Sequence, residues 1–300
     1  MKTFIKSIIY AWFASRPHRV GQVRRLAQQL SPYDSIMLEY PVVSKSRWSG
    51  TNPHSRIKAI FDSRLDFFSS LLASWVEMKS AFWEISRHRE DAGKRNPSWI
   101  NGWMPALDGV AIYGHIGKHR PQTYLEVGSG CSTKFARKAI EDAGLTSSII
   151  SIDPHPRSDI DALCDDILRT PLEFSDLSVF SKLEANDIVY IDCSHRAFMN
   201  SDVTAFFLDV LPNLPPGVVV GIHDIFLPFD YPEDWKFRWY SEQYLLACYL
   251  LAGCSRMTVT CPSYYVSQNR DLKAVLAPLW DHPCFHGVET HGCSFWFQMT

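Results

Sequence analysis

Four short runs rich in β-branched residues, TYLEV, SSIISI, DIVYI and GVVVGI, recur between residues 123 and 222, with stretches of helical character between them. Strands joined through crossover helices lie parallel, whereas antiparallel neighbours need only a tight turn. The expected fold class is therefore α/β, a doubly wound and mostly parallel sheet. Pro215, Pro216 and Gly217 supply the turn that feeds the fourth run. The closing segment GCSFWFQ, residues 292–298, reads as a late strand that pairs antiparallel at the sheet edge.

An open parallel sheet binds ligands in the crevice beyond the carboxyl ends of its strands, so the chemistry is sought in the residues at each run's end. All four ends are polar. The first carries Glu126 with Gly128, Ser129 and Gly130, the second Asp153, the third Asp192 with Cys193, Ser194 and His195, and the fourth His223 and Asp224. Gly128 and Gly130 let the backbone turn sharply and approach a ligand closely, since neither has a Cβ. A dinucleotide fingerprint wants a third glycine where Thr133 stands, and Glu126 would repel a pyrophosphate while attracting a cationic amino group. Asp153 lies 25 residues past Gly128, where an acid accepts from both hydroxyls of a ribose. An amine and a ribose together describe an adenosylated amino acid.

On these residues the chain resembles the class I S-adenosylmethionine-dependent methyltransferases, whose first motif is an acid followed by Gly-x-Gly, with a second acid closing the next strand. DIVYIDCSHR, PPGVVVGIHDIFLPFDYPEDW, the SEQYLL run and GCSFWF extend the likeness to a bacterial methyltransferase group, over about residues 100 to 300. The resemblance implies a Rossmann-like sheet, with Glu126 and Gly128 facing the methionine moiety and Asp153 the ribose. It also implies Glu173, after a weak strand near ILRTPLEF, on the adenine side, and Ser129, Gly130 and Asp192 lining the cofactor.

Metal-dependent O-methyltransferases of this fold carry a carboxylate after the fourth strand and two adjacent ligands after the fifth. By that resemblance Asp192, His223 and Asp224 would hold a divalent ion, with His223 standing where an acid is usual. An imidazole moves the preference from hard ions toward Mn, Fe or Zn, so Mg, Mn and Fe all stay open. Methyl transfer to oxygen needs a deprotonated acceptor, and His195 and His223 are the candidate general bases. The expected activity is O-methylation of a small-molecule or carbohydrate acceptor. Three rivals remain: a nicotinamide oxidoreductase, a hydroxylase on the same scaffold with iron at Asp192, His223 and Asp224, and a binding protein that retains the fold.

Residues 1 to 100 read as a helical N-terminal lobe, ahead of a methyltransferase domain over 101 to 300. Leu65, Phe68, Leu72, Trp75, Val76 and Phe82 repeat at helical spacing within residues 62–90, predicting one long amphipathic helix. Residues 1–65 carry 11 Lys or Arg against 3 Asp or Glu, so the front is basic and the rest acidic although the net charge is only −2. That front suits a solvated face or peripheral contact with an anionic membrane surface. The opening MKTFIKSIIYAWFASRPHR reads as an amphipathic helix rather than an exported leader, since Lys6 interrupts it and no cleavage site follows.

No nucleic-acid motif appears, so nucleic acid is not an expected partner. The eight cysteines form no CxxC pair and favour reduced, packed thiols in a cytoplasmic protein. A homo-oligomer is left open. The segment FLPFDYPEDWKFRWYSEQYLL reads as a lid beyond the fifth strand, with Asp230, Trp235, Arg238, Tyr240 and Glu242 as candidate substrate contacts.

Overall fold

A computed structural model describes residues 42–43, 45–156, 159–253 and 255–300. The amphipathic helix expected at the start, most of the basic front and the membrane contact expected of it lie outside the described residues. Residues 46–300 form one compact unit. The helices over residues 55–92 therefore share a unit with the sheet, whereas the sequence drew its boundary near residue 100.

Among the described residues seven strands build the main sheet: β1 Thr123–Val127, β2 Ser148–Ile152, β3 Asp166–Leu168, β4 Ile188–Ile191, β5 Val219–Ile222, β6 Met257–Pro262 and β7 Phe295–Met299. Their spatial order is β3-β2-β1-β4-β5-β7-β6. The first five pair parallel, and β7 runs antiparallel to both β5 and β6. The four β-branched runs are the four central strands, because each is covered on both faces and needs apolar side chains on both. Tyr124, Leu125, Ile188, Val189, Tyr190, Ile191, Val219 and Val220 are all inaccessible to solvent.

Two expectations change. The closing strand does not form an edge: β7 inserts between β5 and β6, and its Phe295, Trp296 and Phe297 are buried. The edge on that side is β6, whose short M-T-V-T-C run lacks the continuous β-branched character of the central strands. The long helix over residues 62–90 is instead a series of shorter ones, α1 Ser55–Asp62, α2 Leu65–Val76 and α3 Lys79–Trp83. A straight helix of that length would run about 40 Å, past the core it covers. Bends at Ser63–Arg64 and Glu77–Met78 keep Ile57, Phe61, Phe68, Leu72, Trp75 and Phe82 in the common core. A short parallel pair, Ser86–His88 with Ser98–Ile100, follows.

The remaining long helices are α4 Ala106–His119, α5 Cys131–Asp142, α6 Glu242–Leu251 and α7 Arg270–Trp280. Eleven of the fourteen residues of α4 are buried, and it ends at Arg120 in the left-handed conformation immediately before Pro121. Asn269 caps α7 by accepting from the Asp271 and Leu272 amides. Among the described residues no helix is long and apolar enough to cross a membrane.

Register decides where the strand ends fall. Val127 pairs with Ile152 and Ile191, and Ile191 with Ile222, so the residues immediately after β2, β1, β4 and β5 stand level along one edge. Asp153, Gly128, Asp192 and His223 are those four residues. With strands about 4.8 Å apart, they make a row that one elongated ligand can span.

Candidate active site

The row begins at the turn between β1 and α5. Gly128 has φ +79°, and a Cβ there would lie 1.9 Å from the Asp192 carbonyl oxygen, so this position requires glycine both for its conformation and for the close approach of β4. At Gly130 a Cβ would meet open space, which leaves bare backbone at the mouth of the turn. The Ser129 amide donates to Asp153 Oδ2 at 2.8 Å and the His155 amide to Oδ1 at 2.7 Å, so both oxygens of this half-buried carboxylate are held by backbone. Ser129 Oγ pairs with Ser151 Oγ at 2.8 Å and ties the turn to β2. Glu173 lies beyond the end of β3, half-buried in a single 3₁₀ turn.

Glu126 does not stand open at the strand tip. It is fully buried beneath the turn, where Tyr124 donates to Oε1 at 3.3 Å and the Thr133 hydroxyl to Oε2. Thr133 Oγ1 in turn accepts from the Gly130 amide at 3.0 Å, so the carboxylate anchors the glycine turn and the first turn of α5. Burial raises the Glu126 pKa to about 7 against the hydrogen bonds from Ser132, Thr133 and Tyr124, which lower it.

At the other end of the row two imidazoles sit among four carboxylates. His195 Nδ1 lies 2.9 Å from Glu242 Oε2, while Nε2 faces Asp192 Oδ1 at 3.2 Å and Asp224 Oδ2 at 3.6 Å. His223 Nδ1 lies 3.4 Å from both Asp192 Oδ1 and Asp224 Oδ1, and its Nε2 lies 3.4 Å from Asp108 Oδ2. His195, His223, Asp108 and Glu242 are all buried, whereas the Asp192 side chain is 37% exposed and opens the cluster to solvent. His195 and Asp224 both have left-handed backbone, φ 59° and 56°, which places backbone strain at the two strand ends that carry the chemistry.

Electrostatics follow from this packing. Burial opposes the charged form of each imidazole, but Asp192 and Glu242 around His195 overcome it and hold that pKa well above the usual value. For His223 burial also works downward, and Cys293, Tyr190, Asp192 and Asp224 together raise it. Burial would raise Asp192, yet His223 and His195 bring it well below the carboxylate range. Asp108, equally buried, is lowered by His223, Ser294 and the Cys293 amide.

Asp108, Glu242 and Cys293 were not assigned to this centre from the sequence. Asp108 is in the first turn of α4, and its two oxygens accept from the Cys293 and Ser294 amides at 2.8–3.0 Å and from Ser294 Oγ at 2.6 Å, fixing the start of β7. One signal was available: an acid embedded in the apolar run ALDGVAIYG. Glu242 was expected only as a lid contact and is instead His195's partner. Tyr240 does belong to the site, its ring tilted at 4.6 Å from His195. Asp230 does not contact this cluster; it accepts from the Arg47 and Trp48 amides at 2.6 and 3.0 Å. Arg238 is exposed and stacks over Trp235 at 3.8 Å. The lid segment is tied to the His195 loop, whose carbonyl accepts from the Ser241 and Glu242 amides at 2.8 and 3.2 Å.

A family model described as a methyltransferase domain matches residues 125–225, from β1 to just past β5. That span holds the glycine turn, Asp153, Asp192, His195, His223 and Asp224. Over these residues, about a third of the chain, the sequence matches a methyltransferase domain.

No curated protein matches the sequence. Among solved structures it is similar to an O-methyltransferase from Bacillus cereus in complex with SAH, at 15% identity over 84% of this chain and 100% of that one, with a TM-score of 0.39. It is also similar to the SAM-bound O-methyltransferase TomG of Streptomyces achromogenes, at 16% identity, covering 82% of this chain and 98% of that one, TM-score 0.39. The SAH-bound methyltransferase PaMTH1 of Podospora anserina shows 15% identity over 63% and 81%, TM-score 0.37. Likenesses this distant establish no acceptor for the present chain.

Proposed function

We propose that this protein is a class I S-adenosylmethionine-dependent methyltransferase that transfers the cofactor's methyl group to a hydroxyl of a small or sugar-like acceptor, with His195 as general base. The observation that carries the reading is the pairing of His195 Nδ1 with the buried Glu242 at 2.9 Å, which leaves Nε2 turned toward Asp192 and Asp224 at the strand ends. S-adenosylmethionine, when bound, supplies an electrophilic methyl on a sulfonium. Asp153 suits its ribose, the bare backbone at Gly128, Ser129 and Gly130 its methionine moiety, Asp192 the same strand-end row, and Glu173 the adenine side. A cavity of about 300 Å³ lined by Arg89, Gly93, Lys94, Lys134 and Asp159 presents three cations to one acid, a setting for a carboxylate. Glu126 supports the amine side from beneath the turn.

His195 takes the acceptor proton at Nε2 from its neutral form, and Glu242 at Nδ1 fixes the ring and stabilises the imidazolium that results; because Asp192 and Glu242 favour the charged ring, turnover should rise with pH. Tyr240 shields the ring from water. His223 is the less suited of the two candidate bases, since its Nε2 faces the buried Asp108 and Cys293 and its Nδ1 stands between Asp192 and Asp224 as a candidate ion ligand. The donor set suits a divalent ion: His223 Nδ1 is buried, has no hydrogen-bond partner among the described residues and lies 3.4 Å from two carboxylate oxygens. Asp192, His223 and Asp224 would hold it, and its charge would lower the pKa of a bound acceptor hydroxyl.

Calorimetry with S-adenosylhomocysteine tests the cofactor half: the wild type binds, and Asp153→Ala weakens binding at least tenfold. Transfer from labelled cofactor across a panel of hydroxylated acceptors tests the rest. His195→Ala should lower kcat by about 10²–10⁴-fold and leave cofactor affinity unchanged. Unaltered turnover in that variant would remove His195 from the mechanism.

A further inference from the structure

Behind His223, on the side away from Asp192, three side chains of different chemistry meet. Asp108 Oδ2 lies 3.4 Å from His223 Nε2, Cys293 Sγ lies 3.4 Å from the same nitrogen, and Cys293 Sγ lies 3.2 Å from Asp108 Oδ2. All three residues are buried, and they come from three separate elements: α4, the end of β5 and the approach to β7. We propose that Asp108, His223 and Cys293 form a binding site for a borderline-soft divalent ion such as Zn²⁺ or Co²⁺, which ties these three elements together.

The geometry is that of three corners of a tetrahedron. Bonds of about 2.0–2.1 Å to oxygen and nitrogen and about 2.3 Å to sulfur put neighbouring donors roughly 3.3–3.7 Å apart in a tetrahedral zinc site. The three separations fall at or just under that range without rearrangement. A carboxylate, an imidazole and a thiolate are a donor set that Mg²⁺ disfavours and Zn²⁺ or Co²⁺ accepts. The fourth corner has candidates on the spot. Asp224 Oδ1 is 3.5 Å from the sulfur, and the fully buried Tyr190 hydroxyl, within electrostatic reach of Asp108, His223 and Cys293, has no hydrogen-bond partner among the described residues.

In the metal-free arrangement the Cys293 thiol donates its proton to Asp108. The ion takes the place of that proton, which leaves to solvent as the thiolate forms. His223 separates this position from the one proposed beside Asp192: its Nε2 faces inward and its Nδ1 outward. A neutral imidazole has a single free lone pair, so occupation of the inner position commits His223 away from the outer one. The inner site does not depend on whether the enzyme methylates oxygen, but its occupation takes His223 out of the outer donor set and leaves Asp192 and Asp224 there.

The test is spectroscopic and uses the full chain, stripped of metal. One equivalent of Co²⁺ should produce the visible bands of a four-coordinate ion together with a near-ultraviolet sulfur-to-cobalt charge-transfer band. Zn²⁺ should displace it and millimolar Mg²⁺ should not. Cys293→Ser, with its fold checked by circular dichroism, should lose the charge-transfer band. X-ray absorption at the zinc edge on the wild type needs no variant and should show one sulfur among nitrogen and oxygen ligands. A six-coordinate cobalt spectrum without charge transfer, a charge-transfer band that survives Cys293→Ser, or a zinc shell with no sulfur or more than one would overturn the proposal.

Discussion

Glu126 shows how burial rewrites a side chain's part. On β1 it shares a face with Tyr124, and the strand's pleat directs both into the core, so the acid supports the turn from within and does not present itself at the edge. Its pKa of about 7 against 4.5 unperturbed means that the folded state holds the proton more tightly than the unfolded chain does. A raised carboxylate contributes stability that is complete below pH 4.5 and is lost as pH rises through 7, an effect on the order of 3 kcal/mol. Glu126→Gln removes that slope. Urea unfolding between pH 4 and 8 should show the wild type losing stability relative to the variant across pH 4.5–7, with a constant difference above it; parallel curves throughout would refute the assignment. Glu242 is the contrasting case. It is as deeply buried, but its charge is matched by His195, a pair that serves the site and not the turn.

The turn between β1 and α5 is the element on which cofactor binding and folding meet. Gly128→Ala would place a methyl 1.9 Å from the Asp192 carbonyl and force φ +79° on a residue with a Cβ. The backbone must shift, at a cost of about 3 kcal/mol or more. Because the same turn aligns Ser129 with Asp153 and abuts the β4 end, the variant should lose both melting temperature and S-adenosylhomocysteine affinity, whereas Gly130→Ala, whose Cβ meets open space, should keep its melting temperature. Scanning calorimetry with and without ligand separates the two.

Elements of this kind were the legible part of the sequence. Four strands could be read because a doubly covered strand must be β-branched throughout, and their polar ends named Asp153, Asp192, His195, His223 and Asp224 in advance. The short, half-polar β6 lacked that signal. Asp108 and Cys293 were illegible for another reason: their bond is a tertiary contact across 185 residues, and neither occupies the end of a central strand. The helix over residues 62–90 misled because apolar spacing records which residues are buried and not whether the axis that carries them is straight.

At the scale of the molecule, the order of the sheet makes the end of the chain part of its centre. β7 lies between β5 and β6, so the sheet cannot be completed until residues 295–299 are in place, and the contacts involved are distant in sequence. Phe295, Trp296 and Phe297 contribute three fully buried aromatic rings, Trp296 stacks on His115 at 4.3 Å, and Ser294 caps the Asp108 carboxylate. Burying each such ring stabilises by about 2–3 kcal/mol, so the three rings together are comparable with the roughly 5–15 kcal/mol net stability typical of a domain. Deleting residues 292–300 should therefore leave no cooperative thermal transition, with β6 and the exposed edge of β5 prone to intermolecular pairing. Differential scanning calorimetry and size-exclusion chromatography of the truncated chain check this. A monomer that melts in one sharp transition would mean that β1 to β5 form a self-sufficient core, with β6 and β7 added to it and not woven into it.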